Sequence, residues 1–131
     1  MRVKTAKYKT GEKALTRDQV EKLFRSVTEL EDLALLKLAV DTGIRREDIV
    51  ALQSKNIDFK KKEMMFEERK KKRIRTMAIG DNACQALEMW MNHNTSEWVF
   101  PSRFKRGKHL SGKTAYNILM AHLIKSGLPQ R

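Results

Sequence analysis

The segment "DTGIRREDIVAL", Asp41 to Leu52, holds the residues best placed to meet a charged ligand. Thr42-Gly43 reads as a helix stop, because glycine readily takes the left-handed backbone that closes a helix. Arg45, Arg46, Glu47 and Asp48 follow at once, and apolar spacing resumes at Ile49 and Leu52. Arg45 is then expected in the first turn of a restarted helix, where free backbone N–H groups and the positive dipole end favour an anion. A guanidinium can grip two phosphate oxygens together. The competing use of Arg45 is an ordinary ion pair with Asp41, Glu47 or Asp48. Asp48 lies three residues after Arg45 on the same face, so it can orient that arginine or simply pair with it. Arg46 reads as solvent-facing.

Two further runs could carry chemistry. "ERKKKR" contains Lys70, Lys71 and Lys72 and ends at Arg73. At a hairpin tip, one ammonium can reach into a groove and donate a proton once its pKa is lowered. The plainer use is a solvated charge run that guards a sheet edge. Arg103, Lys105, Arg106, Lys108 and His109 form the other run, either a phosphate-contact surface or a solvated loop. His122 and Tyr116 fall in an apolar helix and read as structural.

Helices and short strands must position these groups. Thr16 and Gln19 have capping-box spacing, and Val20, Leu23, Phe24 and Val27 form one apolar stripe of a helix ending near Thr28. A second helix, from about Leu30 to Asp41, is apolar nearly all round and belongs at the centre of a domain. A third is expected from about Arg46 to Ser54. Asn56–Phe59, Glu63–Glu67 and Arg73–Ile79 read as short strands, with the lysines at the tip between the last two. Asp81 or Asn82 should cap a fourth helix, whose face is Ala83, Leu87, Trp90 and Met91. Ser111 should cap a last helix lined by Ala115, Ile118, Leu119 and Leu123, stopped by Gly127 and Pro129. Met64, Met65, Trp90 and Trp98 are expected in the core. The result is an α+β fold, mainly helical, with a small three-stranded antiparallel sheet.

Composition narrows the partners. The 131 residues suffice for one domain, here 15–131, behind a basic arm or linker at 1–14. Lys plus Arg is 28 against 16 for Asp plus Glu, a net charge of +12 that suits a polyanion, nucleic acid first. The single cysteine, Cys84, has no internal disulfide partner, and the Cys and His spacing fits no zinc site. No apolar stretch approaches the ~20 residues of a membrane span, and "MRVKTAKYKTGEKA" lacks the apolar region of a signal peptide. The expectation is an intracellular protein of a reducing compartment, cytoplasmic and nucleoid-associated.

The ordered set "LTRDQVEKLF", "TGIRREDIVAL" and "KKKRIRTMAIG" resembles the catalytic domain of tyrosine recombinases, the phage integrase family. There a T-G-x-R-x-x-E/D-x-x-x-L segment carries the first catalytic arginine. Thr42, Gly43, Arg45, Asp48 and Leu52 fall in that register. The family also places a lysine at the following hairpin tip, before an R-x-V-P-L-like strand. Here that strand is "RTMAI", with Ala78 where proline usually stands, and counting back puts Lys70 at the lysine position beside Lys71 and Lys72. "EWVFPS" and "LSGKTAYNILMAHLIKSGL" resemble the family's next segments.

The resemblance implies a partial, truncated catalytic domain for DNA strand cleavage and rejoining, with duplex DNA as partner and no metal or cofactor. Arg45 and Lys70 are the implied catalytic residues, with Asp48 in support. Arg46, Lys71, Lys72, Arg73, Arg103, Lys105, Arg106 and Lys108 are the implied DNA contacts. The family's H-x-x-R segment and tyrosine nucleophile would follow the helix ending near Gly127. Tyr116 comes too early in the order to be that nucleophile. The expectation is therefore a chain inactive alone, completed by another chain or segment, with apolar surface that favours self-association. A non-catalytic DNA-binding accessory or decoy module is the second reading. A small basic RNA-binding protein is the third, disfavoured by the lack of an exposed aromatic stack.

Overall fold

The computed structural model describes residues 16–128, so the basic arm, Tyr8 and Pro129 lie outside the described residues. Helix α1, Arg17–Ser26, begins with the expected capping box. Gln19 N–H donates to Thr16 Oγ1 at 3.1 Å, and Thr16 N–H donates to Gln19 Oε1 at 2.8 Å. Val20, Leu23 and Phe24 are its buried stripe. Helix α2, Leu30–Thr42, buries Ala34, Leu35, Leu36 and Leu38. It ends at Gly43 with φ 67°, whose N–H reaches the Ala39 carbonyl. Thr42 Oγ1 donates to the Leu38 carbonyl at 2.8 Å, which binds the last turn to itself.

Helix α3 is shorter than its spacing suggested, Arg46–Val50 rather than to Ser54. Tertiary pairing ends it. The Leu52 carbonyl accepts from Val99 N–H at 3.1 Å, and Gln53 forms a bridge with Trp98. A 3₁₀ turn, Ser54–Asn56, then leads into a sheet of β1 (Ile57–Asp58), β2 (Glu63–Glu68) and β3 (Arg73–Ala78), antiparallel in that order. Met64 pairs with Ile57 on one side and Met77 on the other. The two-residue alternation turns Met64 and Phe66 inward, so Met65 faces outward, 43% exposed, against the expectation that it is core.

Helix α4, Asp81–Met91, starts from Gly80 and not from an Asp81 or Asn82 cap. Both candidate side chains are engaged elsewhere. Asp81 takes Lys62 Nζ at 2.6 Å, and Asn82 Oδ1 takes Lys37 Nζ at 2.6 Å. Asp41 instead accepts Gly80 N–H at 2.8 Å, so the end of α2 holds the start of α4. A Cβ at Gly80 would lie 2.6 Å from that carboxylate. Helix α5, Gly112–Ser126, is capped as expected, with Thr114 N–H donating to Ser111 Oγ at 3.0 Å, and it stops at Gly127 with φ 76°.

The main core gathers Leu35, Leu38, Ile49, Leu52, Met64, Leu87 and Phe100 between α2, α3, the sheet and α4. Smaller clusters join α1 to α2 through Val20, Phe24 and Leu36, and α1 to α5 through Leu23 and Leu123. Trp90 packs at the edge of the main core. Trp98 does not belong to it, and stands half-buried edge-on to the His109 ring.

A polar cluster joins α2, α5 and the loop before α5. His122 Nε2–H donates to Asp32 Oδ2 at 2.8 Å, and Arg103 holds Asp32 Oδ1 at 2.7 Å and Glu31 at 3.2 Å. Burial pushes the Glu31 carboxyl up, and Arg103 opposes that shift. Leu38→Ala should cost ~2–5 kcal/mol of stability, read as a lower denaturant midpoint. Asp32→Ala should cost about 2 kcal/mol by the same assay, because it strands the buried His122 and leaves Arg103 only Glu31 as partner. The loss stays below that of a fully buried pair because the Arg103 side chain is 44% exposed.

Candidate functional site

Arg45 is the residue just before α3, with extended backbone (φ −65°, ψ 142°), and not a member of its first turn. Its carbonyl accepts from Asp48 N–H and Ile49 N–H and so starts the helix. A five-residue helix carries too little dipole to recruit an anion, so the positive charge presented here is that of the guanidinium. That guanidinium is exposed and makes no hydrogen bond or ion pair among the described residues.

The three competing carboxylates all have other tasks. Asp41 holds Gly80, and Glu47 lies 3.9 Å from Arg46 and against the start of α5, where a Cβ at Gly112 would strike its carboxylate. Asp48 is buried, and its Oδ1 accepts from Arg69 N–H at 3.4 Å. Asp48 therefore joins α3 to the residue before Lys70, and its carboxylate is turned to the hairpin backbone and not to the Arg45 side chain. Arg46 is not simply in solvent, since its guanidinium lies 5.2 Å from the centre of the Tyr116 ring.

The hairpin tip is built from two overlapping turns. Lys71 N–H donates to the Glu68 carbonyl at 3.1 Å, and Lys72 N–H to the Arg69 carbonyl at 3.3 Å. Lys72 closes the tip with φ 53°, an uncommon backbone for a long side chain. Below it, Glu68 takes Arg73 Nε at 2.6 Å and an Arg75 amine at 3.1 Å. The hydrogen bond from Arg73 holds the Glu68 carboxyl below its usual range. Lys70, Lys71 and Lys72 are exposed, and no side chain among the described residues pairs with them.

The structure thus divides the predicted cations. Arg73 and Arg103 are anchored in ion pairs, and Arg46 leans on Tyr116. Arg45, the three hairpin lysines, Lys105, Arg106 and Lys108 are left exposed. The basic loop does not join Arg45. Arg103 ties it to the opposite end of α2, on the order of 15 Å along the helix axis. Arg69 was missed in the sequence. It lines a cleft of about 300 Å³ with Asp48, Gln53, Asn56, Met65 and Ile74, and nothing in the spacing of the run singled it out.

Glu29, Asp32 and His122 bring their ligand atoms within 4.8 Å of one another. Both Asp32 oxygens are already taken by Arg103 and His122, and the guanidinium repels a cation, so this donor set does not fit a metal. No helix among the described residues is long and apolar enough to cross a membrane.

Comparisons with known proteins bear on the whole arrangement. Tyrosine recombinase XerA of Pyrococcus furiosus is 28% identical over 125 residues, covering 92% of this chain and 44% of that protein. The crystal structure of XerA recombinase superposes with a TM-score of 0.78 at 16% identity, over 88% of this chain and 44% of that one. A lambda integrase crystal structure bound to DNA superposes with a TM-score of 0.70 at 21% identity, over 88% of this chain and 43% of that one. The chain therefore spans under half the length of these relatives, and its helices and sheet have the fold of an integrase catalytic-domain fragment. The profile of the phage integrase family matches residues 13–131, so this chain, with its arginine between two helices and its lysine hairpin, belongs to the phage integrase family.

Proposed function

We propose that this chain supplies the DNA-gripping part of a site-specific recombinase active site, which cuts and rejoins duplex DNA. One observation carries the reading. Arg45 and the hairpin lysines present unpaired cations on two elements that the buried Asp48 fastens together. In this scheme a tyrosine oxygen attacks the phosphorus, the bond to the 5′ oxygen breaks, and a phosphotyrosine link forms. Arg45 stabilises the charge on the phosphate oxygens. Lys70 protonates the departing 5′ oxygen, with Lys71 and Lys72 as its nearest substitutes. Asp48 supports both by fixing the hairpin base to α3. Lys105, Arg106 and Lys108 add phosphate contacts further along the duplex.

Residues 1–131 do not complete this reaction by themselves. Tyr116 sits on α5 with its ring 5.2 Å from the Arg46 guanidinium, and it comes earlier in the chain than the family's nucleophile. A further chain or segment supplies the nucleophile. Met89, Ile124 and Ile74 leave apolar surface on which a second copy or the missing part can rest. Duplex DNA as partner places the protein with the nucleoid.

The test uses duplex DNA carrying a suicide nick, with the wild-type chain beside Tyr116→Phe and Tyr8→Phe. Salt-sensitive binding with no denaturant-resistant adduct is expected. An adduct abolished by one of those substitutions would show a complete active site and overturn the view of an incomplete one. Arg45→Ala and Lys70→Ala should each lower the slope of log affinity against log salt by about 1. In a completed enzyme, loss of Arg45 should slow cleavage by ~10²–10³. Duplex binding that ignores both salt and Arg45 would sink the proposal.

A further inference from the structure

Phe104 is the most solvent-exposed large apolar side chain among the described residues, at 84%. It lies in the loop between α4 and α5, in the run Arg103-Phe104-Lys105-Arg106-Gly107-Lys108. A slack loop could fold such a ring back onto the surface, but this loop is held in shape. Ser102 Oγ accepts from Phe104 N–H at 3.1 Å and from Lys105 N–H at 3.0 Å. Ser102 N–H donates to the Lys108 carbonyl at 2.7 Å, and Lys108 N–H to the Lys105 carbonyl at 3.2 Å. Trp98 Nε1–H donates to the Gly107 carbonyl at 3.0 Å, and Gly107 makes the bend with φ 80°. Pro101 and His109 bridge the neck, and Arg103 is pinned to Glu31 and Asp32. These ties thus hold the loop in shape and leave an unpacked ring in water, within a run of Arg103, Lys105, Arg106 and Lys108.

We propose that Phe104 is an apolar wedge that enters a base step of bound duplex DNA, while Lys105, Arg106 and Lys108 hold the flanking phosphates. The inference rests on the DNA-binding reading above and extends it to a named contact with the bases. The ring offers the flat apolar face that stacks on any base, and preorganisation lowers the entropy lost on insertion. Its neighbours neutralise phosphate without reading sequence. An anionic membrane also attracts basic loops, but one ring gives too little buried apolar area to anchor there, whereas a single base step takes a single ring.

The experiment compares the wild-type chain with Phe104→Ala on short duplexes carrying 2-aminopurine, with and without an adjacent mismatch. A mismatch lowers the cost of unstacking. The wild type should raise 2-aminopurine emission on binding and prefer the mismatched duplex by roughly three- to ten-fold. Phe104→Ala should lose both effects yet keep the salt slope, since no cation is removed. Phe104 is unpacked, so circular dichroism should show an unchanged fold. An alanine variant that unstacks and discriminates like the wild type overturns the wedge and leaves the recombinase reading standing. Absence of any duplex binding by the wild type overturns both. Phosphatidylserine vesicles form the third arm, and Phe104-dependent binding to them that exceeds binding to DNA would also overturn the proposal.

Discussion

A helix that is apolar nearly all round has to be enclosed, and α2 imposes that condition on the rest of this fold. Leu35, Leu38 and Ala34 face the main core, while Leu36, Leu33 and Val40 face the cluster shared with α1. Burial of so many side chains on one element leaves its neighbours little freedom in position. It also fixes where the helix must stop. The left-handed Gly43 turns the chain out of the core, and the next polar residues reach solvent at Arg45. The exposed arginine is thus a consequence of how this central helix ends.

Four carboxylates have been drawn into structure, and this bears on the electrostatic character of the surface. Asp41 holds the start of α4, Asp48 holds the hairpin base, Glu68 clamps two arginines, and Asp32 gathers Arg103 and His122. Each carboxylate used internally is one fewer to neutralise a surface cation. Arg45, the hairpin lysines and the cations of the loop before α5 are among the exposed charges left over. A duplex laid over such a surface would meet cations at intervals along its backbone, which suits affinity without sequence readout.

Order in the hairpin and in the loop comes from different sources. The hairpin is closed by its own ladder and by Glu68, so its tip is defined locally even though its lysines are free. The loop before α5 depends on distant partners, Glu31 and Asp32 on α2 and Trp98 ahead of it. Trp98 is a clear instance of a residue with two plausible uses. Its size suggested core, but its indole N–H required an acceptor and found one in the loop.

Local rules were legible in the sequence wherever they act over a few residues. The Thr16 capping box, the Gly43 and Gly127 stops and the Ser111 cap follow from spacing and backbone preference alone. So did the presence of an arginine behind a helix break and lysines at a hairpin tip. Only the tertiary structure could show which charges are paired, because partners such as Arg103 and Asp32, or Asp48 and the Arg69 amide, are far apart in the chain. Long-range pairing also cut α3 short and denied Asp81 and Asn82 their capping role. Periodicity fixes which face a side chain takes, but competition among partners for each donor and acceptor is settled only when the whole chain has folded.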